Sequence, residues 1–393
     1  MPLRSIISER EEELPISTIG ELIKIAEESR GIISLGPGEP DFAAPKHVIK
    51  FACQKLREGY THYSPPAGRQ ELREAIVKKL KKENRIDVSP DQVIVTAGST
   101  EAIMLALMCT IDPGEGVLVP DPGFLAYTPA VEILNGMPLC IPHCESNGFQ
   151  FDIEQAKKAI MPEKTNVIIV NSPSNPTGVV YKKKTLEEIA DFVNEYDLLA
   201  LSDEAYEKLV YSGEKHISLG SLNGMGNSVL TLHSFSKTHA MPGFRLGYAA
   251  GPEKIIKAMK KIHIYSSVCA PTVSQMAALA ALKGSQKHVA KMVKEYDRRR
   301  KLVFKRFNEI PGFSCVEPRG AFYAFPNIKA FGMKALGFSM WLLKNAKVAV
   351  VPGTEFGRCG EGYVRCSFAT SYEKIKIALE RVEGATKKLK KRG

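Results

Sequence analysis

Four short runs, residues 117–119, 167–170, 198–201 and 229–232, are apolar at nearly every position and recur along the first two thirds of the chain. Segments with a helical apolar period lie between them, among them 153–160 and 186–196. A strand that is half exposed alternates polar and apolar residues, whereas a continuous apolar run belongs to a strand covered on both faces. Runs of this kind alternating with helices predict an α/β fold whose mainly parallel sheet is sandwiched by helices. Residues 92–96 read as an earlier strand, Ala97-Gly98-Ser99-Thr100 as a turn, and 101–111 as a helix. An amphipathic stretch over 70–82 follows the Pro- and Gly-containing loop 61–68, and 16–30 has helical spacing behind Ser17 and Thr18 as caps. Beyond about residue 252 the pattern is helical. The texture then changes: 320–326, 348–353 and 363–369 read as strands, the first two with edge prolines and the last alternating. These strands and the N-terminal arm predict a smaller α+β domain formed by both termini. The expected division is 1–45 for the arm and part of the small domain, 46–285 for the large domain and 286–393 for the C-terminal small domain.

In a parallel sheet of this type ligands sit beyond the carboxyl ends of the strands. Those ends carry the polar residues of the chain. After 117–119 comes Asp121-Pro122-Gly123-Phe124, and after 167–170 comes Asn171-Ser172-Pro173-Ser174-Asn175-Pro176-Thr177-Gly178. The third run leads into Ser202-Asp203-Glu204-Ala205-Tyr206, and the fourth into Ser234-Phe235-Ser236-Lys237 with Arg245 eight residues on. A lysine held at a buried strand end beside cations loses basicity, so its free amine can attack a carbonyl near neutral pH. Asp203 at such an end needs a cationic partner, and Arg365, set among apolar residues in 363–369, needs an anionic one. The strand, turn and helix over 92–111 aim unpaired N–H groups and a helix N-terminus at one spot, which is a phosphate site. Constrained by Gly and Pro, the loop Ser34-Leu35-Gly36-Pro37-Gly38-Glu39-Pro40-Asp41-Phe42 lets its backbone approach a ligand closely.

Composition narrows the picture. At 393 residues the chain exceeds what one core usually fills, and it has no apolar run long enough to span a membrane. Arg10-Glu11-Glu12-Glu13 stands where an export signal would need its apolar centre, so a cytoplasmic location is expected. The formal charge of +11 is interspersed with acids except for the cluster 387–392, which reads as a solvated tail and not a nucleic-acid surface. Eight cysteines read as reduced thiols. Cys140, His143 and Cys144 lack a fourth ligand, so no metal site is expected. Neither a dinucleotide nor a nucleoside-triphosphate glycine motif occurs, and no helix-turn-helix-sized segment precedes Gly36 to suggest a DNA-binding regulator. The charges of Glu295-Tyr296-Asp297-Arg298-Arg299-Arg300 read as a solvated helix face.

Ser234-Phe235-Ser236-Lys237 followed by Gly243-Phe244-Arg245-Leu246-Gly247 resembles the cofactor-lysine signature of the aspartate aminotransferase family, pyridoxal phosphate enzymes of fold type I. The resemblance extends over nearly the whole chain. It implies a seven-stranded, mainly parallel sheet and a homodimer with shared active sites. Lys237 would carry pyridoxal 5'-phosphate and move protons, Asp203 would face the pyridine nitrogen, and Phe124 would stack on the ring. Asn175 and Tyr206 would reach the phenolic oxygen. Gly98, Ser99, Thr100, Ser234, Ser236 and Arg245 would hold the phosphate, with Tyr63 donated from the neighbouring subunit. Arg365 would grip the substrate α-carboxylate beside Gly38, and Ile16 and Ile19 would contact the substrate side chain. The implied reaction is ping-pong transfer of an amino group from an L-amino acid to a 2-oxo acid, 2-oxoglutarate above others. A β-lyase or decarboxylase on the same fold is the alternative. Thr100 stands where some aspartate-preferring relatives carry lysine, and Met241-Pro242-Gly243-Phe244-Arg245 and Ile264-Tyr265-Ser266-Ser267 resemble archaeal-type aromatic aminotransferases. A neutral or aromatic donor is therefore expected, with aspartate open.

Overall fold

A computed structural model describes residues 7–12, 14, 20, 31–222 and 224–390. The helix expected over 16–30, with Ile16 and Ile19, lies outside the described residues apart from Gly20. In chain order the strands are β1 (Ile33–Ser34), β2 (Val93–Thr96), β3 (Gly116–Asp121), β4 (Met137–Pro142), β5 (Thr165–Asn171), β6 (Leu199–Asp203), β7 (Val229–Ser234), β8 (Gly247–Ala250), β9 (Tyr323–Ala324), β10 (Val348–Ala349), β11 (Val351–Pro352) and β12 (Val364–Ser367). Seven of them form one sheet in the order β2-β8-β7-β6-β5-β3-β4. All its pairings are parallel except those of β8, which runs antiparallel to both neighbours.

The four apolar runs became β3, β5, β6 and β7, the middle of the sheet, and their two faces enter two different cores. Val167 and Ile169 of β5 pack with Leu201, Leu230 and the helix Ser99–Thr110, while Ile168 and Val170 pack on the other side with Leu186, Ile189 and Phe192 of the helix Lys183–Glu195. Successive strand residues point to opposite faces, so only a run apolar at every position buries both. The helix Ser99–Thr110 starts two residues earlier than its sequence pattern predicts, so Ser99 and Thr100, expected in the turn, open its first turn.

The smaller sheets join distant parts of the chain. β1 pairs in parallel with β10, which ties residues 33–34 to 348–349, and β11, β12 and β9 form an antiparallel sheet. They cover a core rich in aromatic rings, including Tyr296 and Phe307 of the long helix Lys287–Glu309 together with Phe322, Phe338 and Phe368.

On that helix the solvated-face reading of 295–300 is corrected. Arg299 and Arg300 are buried, Arg300 to 1% exposure. Arg299 Nη1 donates to both carboxylate oxygens of Asp41 at 2.8 and 2.9 Å, and Arg300 is paired with Asp297 and Glu317. Periodicity places a residue on a helix face; it does not say whether a carboxylate from a loop 258 residues away covers that face. The Asp41 pair anchors the loop 36–42. Asp41→Ala leaves Arg299 only Glu295 and the Phe368 carbonyl as partners, and is expected to cost about 2 kcal/mol. A lowered melting temperature with unchanged far-UV circular dichroism would show it; an unchanged melting temperature would refute it.

Among the described residues no helix is long and apolar enough to cross a membrane.

Candidate active site

The carboxyl ends of β3, β5, β6 and β7 open into one cavity of about 260 Å³. Its walls include Gly38, Ser99, Thr100, Phe124, Asn175, Asp203, Tyr206, Ser234, Ser236, Lys237, Arg245 and Arg365, all named from the sequence. Gly98 lies directly behind: its φ is +90°, and a Cβ there would come 2.8 Å from an Arg245 guanidinium nitrogen. Tyr63 is not brought to the cavity of its own chain; it stands 83% exposed on the surface.

Lys237 is carried on the short helical turn Phe235–Thr238, whose N-cap Ser234 accepts a hydrogen bond from the Ser236 N–H at 3.2 Å. The Lys237 amine donates to the Gly38 carbonyl at 2.5 Å. Burial, then the Arg365 and Arg245 charges, lower its pKa from 10.5 to about 8 against the opposing pull of Glu39 and Asp203. A sizeable neutral fraction near pH 7.5 is what a nucleophilic amine needs.

Asp203, at the end of β6, is buried and has no ion pair among the described residues. Burial raises its pKa, while hydrogen bonds from Tyr127 Oη at 2.7 Å and the Ala205 N–H at 3.1 Å pull the other way. Two donors fix the carboxylate and leave it suited to one buried cation. The internal ion pair that a buried carboxylate often forms is not made here.

Arg365 presents the opposite deficit. Its Nη groups donate to Asn175 Oδ1 at 3.0 Å and the Gly36 carbonyl at 2.7 Å, its Cζ lies 4.4 and 4.6 Å from the ring centroids of Tyr323 and Phe356, and its buried Nε has no partner. No carboxylate meets it among the described residues. Asn175 is oriented by this contact and by its own N–H on Asn171 Oδ1 at 2.9 Å, so its amide N–H groups remain as donors.

A helix N-terminus and a guanidinium meet around Gly98. The helix Ser99–Thr110 starts at the cavity wall behind Gly98, and the Arg245 guanidinium lies against that glycine. Gly247 of β8 makes the approach feasible, since a Cβ there would lie 2.6 Å from backbone atoms of Gly98 and Ser99.

Three contributors were given no role from the sequence: Tyr127, Tyr323 and Asn171, whose Nδ2 donates to the Asp203 carbonyl at 3.0 Å. Asn171 is the first polar residue after an apolar run, a usable signal; the two tyrosines have none. Behind the cavity Glu204, Glu207 and His216 bring ligand atoms within 4.8 Å of one another. Glu204 already accepts from Ser202 and Ser218, and Glu207 from Asn84 and Lys79, so these carboxylates are satisfied by protein donors. Cys140, His143 and Cys144 are not gathered into such a group.

An amine of reduced basicity between a carboxylate wanting a cation and a guanidinium wanting an anion, at the mouth of a parallel sheet, is an arrangement for enzymatic chemistry on small amino and carbonyl compounds. The sequence profile described as "Aminotransferase class I and II" matches residues 30–382. The chain is 48% identical over 380 residues to an aspartate aminotransferase of Pyrococcus abyssi, covering 96% of this chain and 97% of that one. It is 46% identical to aromatic-amino-acid aminotransferase 2 of Thermococcus litoralis, covering 98% and 99%. Among solved structures, the aromatic aminotransferase of Pyrococcus horikoshii OT3 superposes with a TM-score of 0.90 at 47% identity, covering 95% of this chain and 99% of that one. The aspartate aminotransferase of Thermus thermophilus with maleate gives 0.93 at 37%, covering 97% and 100%. The chain belongs to the class I and II aminotransferase family and is itself an aminotransferase.

Proposed function

We propose that the cavity holds pyridoxal 5'-phosphate and that the enzyme moves the amino group of a neutral or aromatic L-amino acid to 2-oxoglutarate in two half-reactions. The observation that carries this reading is the buried Lys237 amine, with a pKa near 8, facing Asp203 and Arg365 across one cavity. When bound, the cofactor supplies a carbonyl carbon and a ring that takes up an electron pair. The residues fit it term by term. Lys237 would hold the carbonyl carbon, and its neutral amine would take the α-proton of the amino acid and return one. Asp203 would face a cationic ring nitrogen, and hydrogen bonds from Tyr127 and the Ala205 N–H hold the carboxylate in place and oppose the effect of burial on it. Asn175 and Tyr206 would donate to the ring oxygen, and Phe124 would cover the ring. Gly98, Ser99, Thr100, Ser234, Ser236 and Arg245 bind the phosphate. Arg365, held by Asn175 and Gly36, binds the substrate carboxylate in a fork.

A second copy of the chain completes the site in this proposal. Tyr63 and Tyr265 are 83% and 92% exposed, and Ile264 and Val268 are exposed beside Tyr265. The Tyr63 loop is pinned to this region, Ser64 to Thr272 and Thr272 to the His62 carbonyl. An aromatic and aliphatic surface of this kind suits an interface, with Tyr63 reaching the neighbour's phosphate. We place the division between large and small parts near residues 45 and 285. Eight unpaired cysteines suit a reducing cytoplasm.

The donor preference rests on Thr100 standing where a lysine would meet a distal carboxylate and on the likeness to aromatic aminotransferases. The cavity's cations are Lys237, Arg245 and Arg365, each already assigned. Charge alone does not order the donors, since the same walls must admit the distal carboxylate of 2-oxoglutarate. With 2-oxoglutarate as acceptor, kcat/KM for phenylalanine or tyrosine is expected to exceed that for aspartate by at least about tenfold. A panel of donors checks this, with glutamate as the measured product; a preference for aspartate would overturn the donor assignment, and ammonia with pyruvate in place of glutamate would overturn the transfer itself.

A further inference from the structure

Tyr323 comes from β9, not from the strand ends that furnish most of the cavity, and it is buried to 1% exposure. Its hydroxyl lies 2.9 Å from that of Tyr206, the two rings meeting edge to face at 5.8 Å. Space for the hydroxyl depends on Gly38, where a Cβ would come 2.7 Å from Tyr323 Oη.

A phenol has one proton to donate. If Tyr206 gives its proton to the cofactor's ring oxygen, the 2.9 Å contact is a hydrogen bond only with Tyr323 as donor. Burial raises both tyrosines, and the nearby Arg365 charge draws both back. The charged groups facing the pair are Arg365, 4.4 Å from the Tyr323 ring centroid, Lys237, 5.9 Å from the Tyr206 ring centroid, and Asp203. None of them takes either phenolic proton.

We propose that Tyr323 is a positioning residue: it donates its proton to Tyr206 Oη, and thereby strengthens the hydrogen bond that Tyr206 gives to the cofactor's ring oxygen. Hydrogen bonds in series polarise one another, so the outer donor is felt at the inner acceptor without touching it. The inference rests on the cofactor reading above and deepens it.

The test is an absorbance titration of the pyridoxal 5'-phosphate-loaded protein, comparing wild type, Tyr323→Phe, Tyr206→Phe and the double variant. Donation to an oxygen favours its proton-poor, more anionic state, so removing a donor raises the chromophore's midpoint. Tyr206→Phe is expected to raise it by about 1 to 2 pH units. Tyr323→Phe is expected to raise it by about 0.3 to 0.5. In the Tyr206→Phe background the second substitution is expected to shift nothing, because the effect passes through Tyr206. Gly38→Ala, whose Cβ displaces the Tyr323 hydroxyl, is expected to raise the midpoint as well, and serves if Tyr323→Phe folds poorly.

A midpoint unmoved by Tyr323→Phe overturns the proposal, even where the melting temperature falls. A shift of equal size in the Tyr206→Phe background also overturns it, since Tyr323 would then act directly. Wild type that never acquires a visible chromophore overturns the cofactor reading first, a result distinct from either of these.

Discussion

Lys237→Ala is expected to lower kcat by at least about 10⁴-fold, the upper range of what a positioned general acid–base group contributes, and to abolish covalent retention of pyridoxal 5'-phosphate. Among the described residues Lys237 is the only lysine on the cavity wall, so no neighbouring amine there replaces it. The phosphate-side groups and Asp203 are untouched, so the variant should still bind the cofactor and release it on denaturation. Borohydride reduction of the loaded wild type, followed by digestion and mass spectrometry, should place the label on the peptide containing Lys237; a label on any other lysine would sink the assignment. The cofactor-free protein offers a separate check. Only the unprotonated amine attacks a neutral acylating reagent, and Lys237 loses its proton at about 8 where an ordinary lysine does so at 10.5. Its labelling rate should therefore rise through a midpoint near pH 8 and then level off, while surface lysines go on gaining reactivity toward 10.5. Labelling of Lys237 that tracks the surface lysines would contradict the burial argument.

Why was so much of this site legible in the chain? The strands that build it are buried on both faces, and that burial writes unbroken apolar runs whose polar ends are conspicuous. Asn171, Asp203, Ser234 and Lys237 all lie where such a run stops. Arg365 was visible for the converse reason, as a lone charge in an alternating strand. β4 and β8 left no such trace. β4 is an edge strand with two prolines and only Ile141 fully buried, and β8 is Gly247-Tyr248-Ala249-Ala250, whose small residues are dictated by close backbone packing and not by apolar bulk. Tyr127 and Tyr323 sit in apolar surroundings, where a tyrosine looks like any core ring until its hydroxyl is seen to meet Asp203 or Tyr206. Arg299 failed for a related reason: its partner Asp41 is remote in sequence, and local pattern carries no record of it. What the chain hides is pairing across long separations; what it shows is burial along a single element.

Arg365→Leu is expected to lower kcat/KM for the amino donor by about 10²- to 10³-fold, mostly through KM, and to leave the melting temperature of the substrate-free protein unchanged or raised. The two halves of this outcome follow from one fact, the absence of a carboxylate partner for this buried guanidinium among the described residues. Without substrate the charge is desolvated and met by the Asn175 and Gly36 oxygens and the Tyr323 and Phe356 rings but by no carboxylate, so replacing it with an apolar side chain removes a burden on the fold. With substrate present the α-carboxylate becomes the missing counter-charge, and losing one partner of a desolvated charge pair costs about 2 to 5 kcal/mol, which brackets that fold-change. Arg365→Lys separates charge from geometry. It keeps the charge but loses the fork, so most of the loss should remain. Had Arg365 been a structural residue, the signs would reverse: leucine would lower the melting temperature while KM stayed near that of the wild type. Differential scanning calorimetry and steady-state kinetics on the same two variants distinguish the cases, and an unchanged KM in Arg365→Leu would move the carboxylate site elsewhere in the cavity.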